Sequence, residues 1–311
     1  MSKIDNSYLK VRNGDITMCK IRGINKADIE EVSTFISKLN NREESHIGYC
    51  GTDQKEVAKY MQEEITDVPY FDSFVGAYEN NQLVGVLGFD ADLEDKSAEI
   101  WGPFINKDKW DIVFSMWEKA ISLLPKEIDS LEMFPNLKNT RVCQLARDLS
   151  FNKYSDETIL VFSRSNSNKL EGNRLEELTP KHHHTMKQLH NEAFPNAYYD
   201  GEQIMKRLNE NRKVFVITKN EELSGYIYVE AEPEFGEASI KFFAVAPIVR
   251  GKGIGRQLLA GSLKWLFTFE SMDSITLCVN STNQNAINLY KKVGFQHQHD
   301  LISFTKDVGK K

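Results

Sequence analysis

Residues 243–259 read FAVAPIVRGKGIGRQLL: an apolar run stops at Pro247, glycines stand at 251, 253 and 255, and an amphipathic segment follows. This predicts a strand, a tight turn and a helix in immediate succession. Gly251, Gly253 and Gly255 lack a Cβ, so the main chain there can adopt positive φ and approach a ligand closely. The first N–H groups of the helix starting near Ile254 have no intrahelical acceptor and lie at the positive end of its dipole. Such a junction is a cradle for a phosphate or pyrophosphate, with Arg250 and Lys252 adding two charges beside it.

Three phosphate-binding patterns compete for this string, besides a glycine-rich turn that only joins strand to helix. A Walker loop needs Ser or Thr directly after its lysine, but Lys252 precedes Gly253. A dinucleotide fingerprint would need its third glycine where Arg256 stands. The remaining pattern, R-x-x-G-x-G at Arg250, Gly253 and Gly255 after Ala244-Val245-Ala246-Pro247, resembles the pyrophosphate motif of the GNAT N-acetyltransferase superfamily.

A second feature is duplication. Asn136 and Asn280, Asn139 and Asn283, Leu145 and Leu289, and Phe151 and Phe295 are each 144 apart (280−136, 283−139, 289−145, 295−151), whereas Gly85 and Gly225 are 140 apart (225−85). Each half reads as a strand, two helices, three strands, a helix, a strand, a helix and closing strands. The four-residue difference is assigned to the connection that carries RGKG in the second half. The expected fold class is α/β (α+β): two tandem GNAT-like domains, each a mixed, largely antiparallel twisted sheet flanked by helices. Residues 1–165 form a degenerate, non-catalytic copy and 170–311 the acetyltransferase domain, with the polar stretch SRSNSNKLEGN (163–173) as linker.

The resemblance implies that acetyl-CoA is the co-substrate and that no metal takes part. Backbone groups of Phe243, Ala244 and Val245 would pair with the pantetheine arm. The amides of Arg250, Gly251, Lys252, Gly253, Ile254, Gly255 and Arg256 would hold the pyrophosphate. The Val245 N–H would steady the oxyanion formed on attack. In NQNAINLYKKVGF, Ala286, Leu289, Tyr290 and Val293 recur at helical spacing, which puts Tyr290 on an inward face. Spacing alone makes Tyr290 a core aromatic; the resemblance makes it the general acid that protonates the leaving thiolate, with Asn283 capping its helix and touching the arm. The family's usual base position falls on Ser239, so Glu237 on the same strand face is the candidate base, with Glu230 and Glu232 at the end of the preceding strand beside it. Each of the three reads otherwise as a solvated edge charge, and a water relay or a neutral amine would remove the need for any of them. Tyr198 and Tyr199 are candidate acceptor-pocket walls. In the first half, Ala146 replaces Tyr290, and Asn106, Lys107 and Asp108 replace the glycine loop.

Bulk properties constrain the rest. The 311 residues are 41% hydrophobic and 27% charged, ordinary for a globular protein. Of the net charge of −6, residues from 170 onward carry 18 Lys+Arg against 17 Asp+Glu, leaving 21 against 28 in the first part. No basic stripe supports nucleic-acid binding, and no apolar run predicts a membrane span or signal peptide. Four scattered cysteines fit reduced thiols in the cytoplasm. His182, His183 and His184 diverge by about 100° each on a helix and cannot converge on one ion; His183 and His190 are expected on a solvated face. The expected activity is acetyl transfer from acetyl-CoA to a primary amine, small-molecule or peptide, by direct attack. The alternative is a non-catalytic CoA-binding sensor or interaction module.

Overall fold

A computed structural model describes residues 7–12, 15–172, 175–195, 197 and 199–309, with side chains from residue 19 onward. The chain divides into two units. The first is Met1–Glu157 with Asp300–Lys311, and the second is Thr158–His299.

The first unit contains β1 (Ser7–Arg12), β2 (Asp15–Gly23), α1 (Ile29–Asn40), α2 (Gln54–Glu63), α3 (Tyr70–Ser73), β3 (Phe74–Glu79), β4 (Gln82–Asp92), β5 (Ser97–Ile105), α4 (Val113–Ile121), β6 (Ser130–Met133) and α5 (Thr140–Asp148). Strand β7 (Asn152–Ser163) then leads out of it. Its sheet runs β1-β2-β3-β4-β5-β6. All pairs are antiparallel except β5 with β6, which run parallel for three residue pairs, Ser97↔Ser130 to Glu99↔Glu132. Its core holds Val32, Ile36, Met61, Phe74, Phe89, Trp101 and Phe104, all essentially inaccessible.

The second unit contains β8 (Glu176–Glu177), α6 (His183–Ala193), α7 (Gly201–Arg207), β9 (Arg212–Lys219), β10 (Glu222–Glu232), β11 (Glu237–Val245), α8 (Ile254–Leu266), β12 (Ser274–Asn280) and α9 (Gln284–Val293), with β13 (Gln296–Asp307) starting in it. One antiparallel sheet has the order β11-β10-β9-β8. Strand β12 belongs to a different ladder, so β11 and β12 are not hydrogen-bonded to each other. The β11 edge facing β12 therefore keeps unpaired backbone groups.

The duplication is visible element by element. Strands β4 and β10, and β5 and β11, have identical lengths and are offset by 140 (222−82, 237−97). Each preceding hairpin turns on two residues with positive φ, Asn80-Asn81 and Asn220-Glu221, the conformation a two-residue type I′ turn requires. Helices α5 and α9 start under Asn139 and Asn283, whose side chains accept from the backbone N–H three residues on. Both helices are followed by a residue with positive φ, Ser150 and Gly294.

The four-residue difference lies elsewhere than expected. From strand end to helix start the first unit spans 8 residues (113−105) and the second 9 (254−245). The helices themselves differ by four, 9 residues in α4 and 13 in α8. The connections thus differ by a single residue in length, while their composition is changed throughout.

Residues 164–169, compositionally linker-like, form a 3-10 segment held by Arg164. Its guanidinium donates to the carbonyls of Phe267, Phe269 and Met272 and stacks 5.1 Å from the Phe267 ring. The contact division instead falls inside β7, at 157/158. No helix among the described residues is long and apolar enough to cross a membrane.

Candidate functional site

The site is built where β11 meets α8. The Ala246 N–H donates to the Ser224 carbonyl at 2.9 Å, which makes Ser224 and Ala246 a hydrogen-bonded pair across β10 and β11. Alternation along an antiparallel ladder then fixes the rest. With Gly225 opposite Val245, Tyr226 opposite Ala244 and Ile227 opposite Phe243, Ala244 spends its backbone groups on the ladder. Phe243 and Val245 turn theirs to the open edge. Of the three residues expected there, two present N–H and C=O outward, and the Val245 carbonyl accepts from Arg250 Nε at 3.1 Å.

A short 3-10 turn, Pro247–Val249, ends with the Arg250 N–H donating to the Pro247 carbonyl. The Arg250 amide is thereby consumed, so the cradle starts one residue later than the sequence suggested. Gly251 and Gly253 have φ of 78° and 81°, and a Cβ at either would meet nothing within 4 Å. Open space and left-handed backbone together mark these glycines as kept for conformation and approach, not for packing. Gly253 caps α8 without any side-chain hydrogen bond. The amides of Gly251, Lys252, Gly253, Ile254, Gly255 and Arg256 find no acceptor among the described residues. Gly255 does pack: a Cβ there would sit 3.1 Å from Leu289 of α9. Arg256 is exposed and pairs with Glu171 at 2.9 Å, while Lys252 Nζ reaches the Ile248 carbonyl at 3.3 Å.

Tyr290 faces this junction. Its ring lies edge-on to Phe243 at 6.1 Å between centroids and to Phe295 at 5.5 Å. Burial pushes its phenol up to about 12, so it stays protonated through the physiological range. Desolvation is the cause, since a phenol in water has an ordinary value near 10. Asn283 is exposed at the start of α9, its side chain accepting from Ala286 N–H at 3.2 Å.

Glu237 is not brought to the site. It opens β11, exposed and opposite Glu232. Eight residues of strand, about 26 Å, separate it from Val245. Glu230 is the residue misread from sequence. Expected at a solvated edge, it is 4% exposed and the sole buried carboxylate among the described residues. It sits opposite Ser239 in the ladder. The Tyr228 hydroxyl and the Arg207 guanidinium (Nε 3.3 Å, Nη2 3.2 Å) donate to its Oε1. Arg212 and Lys241 approach within 3.9 Å. A buried carboxylate requires such partners, and none of them is adjacent in sequence.

His190, also expected on a solvated face, is fully buried. Its Nε2 lies 2.7 Å from the Tyr199 carbonyl and its Nδ1 2.5 Å from the Tyr226 hydroxyl. A carbonyl only accepts, so in the neutral ring Nε2 carries the proton and Tyr226 donates to Nδ1. The bond tethers the segment between α6 and α7. Tyr199 in turn carries Arg207 over its ring at 4.2 Å. Tyr198 lies outside the described residues. Among those described, no group of His, Cys, Asp and Glu is arranged to hold a metal.

The first unit keeps the helix cap, Asn139 for Asn283, but departs at the edge strand, the glycine loop and the tyrosine. By the 140 offset Pro103 stands where Phe243 does (243−103), and proline has no N–H to offer. The Lys107 carbonyl accepts from Arg141, whose guanidinium lies 5.4 Å from the Trp110 ring centroid, so side chains from the counterparts of α9 and the glycine loop meet each other. Ala146, the counterpart of Tyr290, is fully buried. Conversely, Glu99 occupies the counterpart of Ser239 (239−99). It is flanked in the sheet by Asp90 and Glu132. Burial, reinforced by these neighbours, pushes Glu99 up to about 7; burial also raises Asp90 to about 6, against the Tyr60 hydrogen bond.

Comparison with known proteins agrees with this geometry. The family model described as Acetyltransferase (GNAT) family matches residues 183–295. A GCN5-related N-acetyltransferase from Sphaerobacter thermophilus shares the fold at TM-score 0.64 and 13% identity, over 94% of this chain and 96% of that one. A putative acetyltransferase from Pyrococcus horikoshii does so at TM-score 0.51 and 14% identity, over 94% and 90%. At these identities the likeness is one of fold, and it extends through both units. No curated protein matches the chain. The strand–glycine loop–helix junction and the edge strand beside it both fall within the one stretch, residues 183–295, that matches the acetyltransferase (GNAT) family model.

Proposed function

We propose that the second unit transfers an acetyl group from acetyl-CoA to a primary amine by direct attack. The observation that carries this reading is the row of unconsumed amides from Gly251 to Arg256, at the N-terminus of α8 and next to the outward-facing edge of β11. A pyrophosphate would sit on those amides with Arg250 and Lys252 alongside. The pantetheine arm would extend along Phe243 and Val245 as an added strand. The Val245 N–H, or that of Phe243 closer to Tyr290, would receive the negative charge that develops on the thioester oxygen.

The amine attacks the carbonyl carbon, the tetrahedral intermediate collapses, and the C–S bond breaks. Tyr290 supplies a proton or a strong hydrogen bond to the departing sulfur. A phenol near 12 facing a thiol of ordinary pKa near 8.5 favours the hydrogen-bonded form over complete transfer. Glu237 is too distant to take the ammonium proton, and Glu230 is held as a buried carboxylate by Arg207 and Tyr228, so the amine is deprotonated by solvent or arrives neutral. The first unit, with Pro103, Ala146 and the Arg141–Trp110 contact at the corresponding positions, would be a non-catalytic copy.

Ser239 in place of a carboxylate favours a second reading, a CoA-binding module without turnover. Calorimetry with acetyl-CoA, followed by a turnover screen over primary amines, separates the two. Binding with no acceleration for any amine supports the module. Absence of binding removes both readings.

A further inference from the structure

Arg207 from α7, Arg212 from β9 and Lys241 from β11 converge on the one buried carboxylate, Glu230. Three cations against one carboxylate leave a local excess of two positive charges. No second carboxylate lies within ion-pair distance of these three among the described residues. Each cation's side chain remains about one-third exposed, at 30%, 34% and 31%. The cluster is not a solvated surface ion pair. Glu230 is buried and accepts from Tyr228 and Arg207, and Arg207 is clamped on its other side by the ring of Tyr199. Bringing three like charges together is costly unless something holds them, and Glu230 does so while leaving guanidinium and ammonium donors unspent.

The position matters as much as the charge. Lys241 is displaced outward at a register shift, where Tyr228 pairs with Phe242 and Val229 with Ile240. It lies two residues from Phe243, and the Glu230–Ser239 pair lies four, which places the cluster about 7–13 Å from the amide at the proposed thioester. We infer that Arg207, Arg212 and Lys241 form an oxyanion-recognising end of the acceptor groove, so that the acceptor is a primary amine that also carries a carboxylate or phosphate group. This rests on the acetyl-transfer reading of the same unit. It sets Glu230 as the residue that positions the three cations, not as a base. Guanidinium forks recognise both oxyanions in bidentate fashion.

The test measures binding directly, with the full chain and without any need for turnover. 5-Aminovalerate, 4-aminobutylphosphonate and 5-amino-1-pentanol are titrated by calorimetry, with and without CoA, into wild type, Arg212→Gln and Lys241→Gln. Melting temperatures check that each variant is folded. At least one of the two anionic amines binds about tenfold tighter than the alcohol in wild type; which one wins identifies the oxyanion. The preference shrinks in both variants and narrows as salt is raised in wild type. Equal affinity for the alcohol, or a preference that survives both substitutions and high salt, overturns the inference. Oxyanion preference without any CoA uptake instead defeats acetyl transfer while leaving this site standing. Turnover of amines with no oxyanion preference does the reverse.

Discussion

Tyr290 carries the sharpest expectation at the scale of single residues. Tyr290→Phe removes only the hydroxyl, so the ring contacts with Phe243 and Phe295 remain. Acetyl-CoA affinity should be unchanged and kcat should fall by about 10²–10⁴, measured by steady-state kinetics and calorimetry on the same sample. An unchanged kcat would return Tyr290 to the role its helical spacing suggested, a core aromatic. Gly253→Asp places a carboxylate where a phosphate is expected to rest. Aspartate tolerates the left-handed backbone that Gly253 holds, so the fold should survive while acetyl-CoA affinity drops at least about tenfold. Equal affinity would argue against a pyrophosphate at this loop. The glycines were legible because local chemistry dictates them, since they set φ and a helix start exposes amides, whereas the role of Tyr290 came from the resemblance alone. Glu230 was not legible. Its partners come from α7, β9, β10 and β11, and no spacing within a single element signals that a strand-end glutamate will be enclosed by arginines 18 and 23 residues earlier (230−212, 230−207).

At the scale of elements, the two asparagine-capped helices offer an internal control. Asn139 is buried, accepting from Val142 N–H and donating to the His46 carbonyl, whereas Asn283 is exposed and caps only Ala286. Asn283→Ala should cost about 1 kcal/mol of stability. Asn139→Ala should cost more, since it also strands buried polar groups; equilibrium denaturation of the two variants compares them. The carboxylate row across β4, β5 and β6 gives a pH signature. Glu99 and Asp90 are held above their unfolded values, so the folded first unit binds more protons than the unfolded chain between about pH 4 and 7. Its stability should therefore decline as pH rises through that window and level off above it. Glu99→Gln should flatten the decline and raise stability near pH 8, as read from urea midpoints against pH. A midpoint that instead climbs from pH 5 to 7 would contradict this assignment.

For the whole molecule, the notable fact is which residues complete which unit. Strand β7 starts in the first unit and finishes in the second, whereas the last residues of β13 return to the first, Phe304 to Asp307 pairing antiparallel with β6. Leu301, Ile302 and Phe304 are buried there. Deleting residues 300–311 should thus destabilise the first unit, by several kcal/mol for three buried apolar side chains. Differential scanning calorimetry with and without acetyl-CoA should show loss of the first unit's transition; a thermogram identical to wild type would count against this division. Local sequence sufficed for what neighbouring residues enforce on each other: the hairpin turns, the capped helices, the glycine junction and the duplication that follows from their regular offsets. It could not reveal that Ala244 spends its amide while Phe243 and Val245 do not, or that the four missing residues shorten a helix instead of a loop. It also could not show that His190 and Glu230 are interior. Those outcomes depend on ladder register and on side chains meeting across separate strands and helices, and such encounters exist only once the chain has folded.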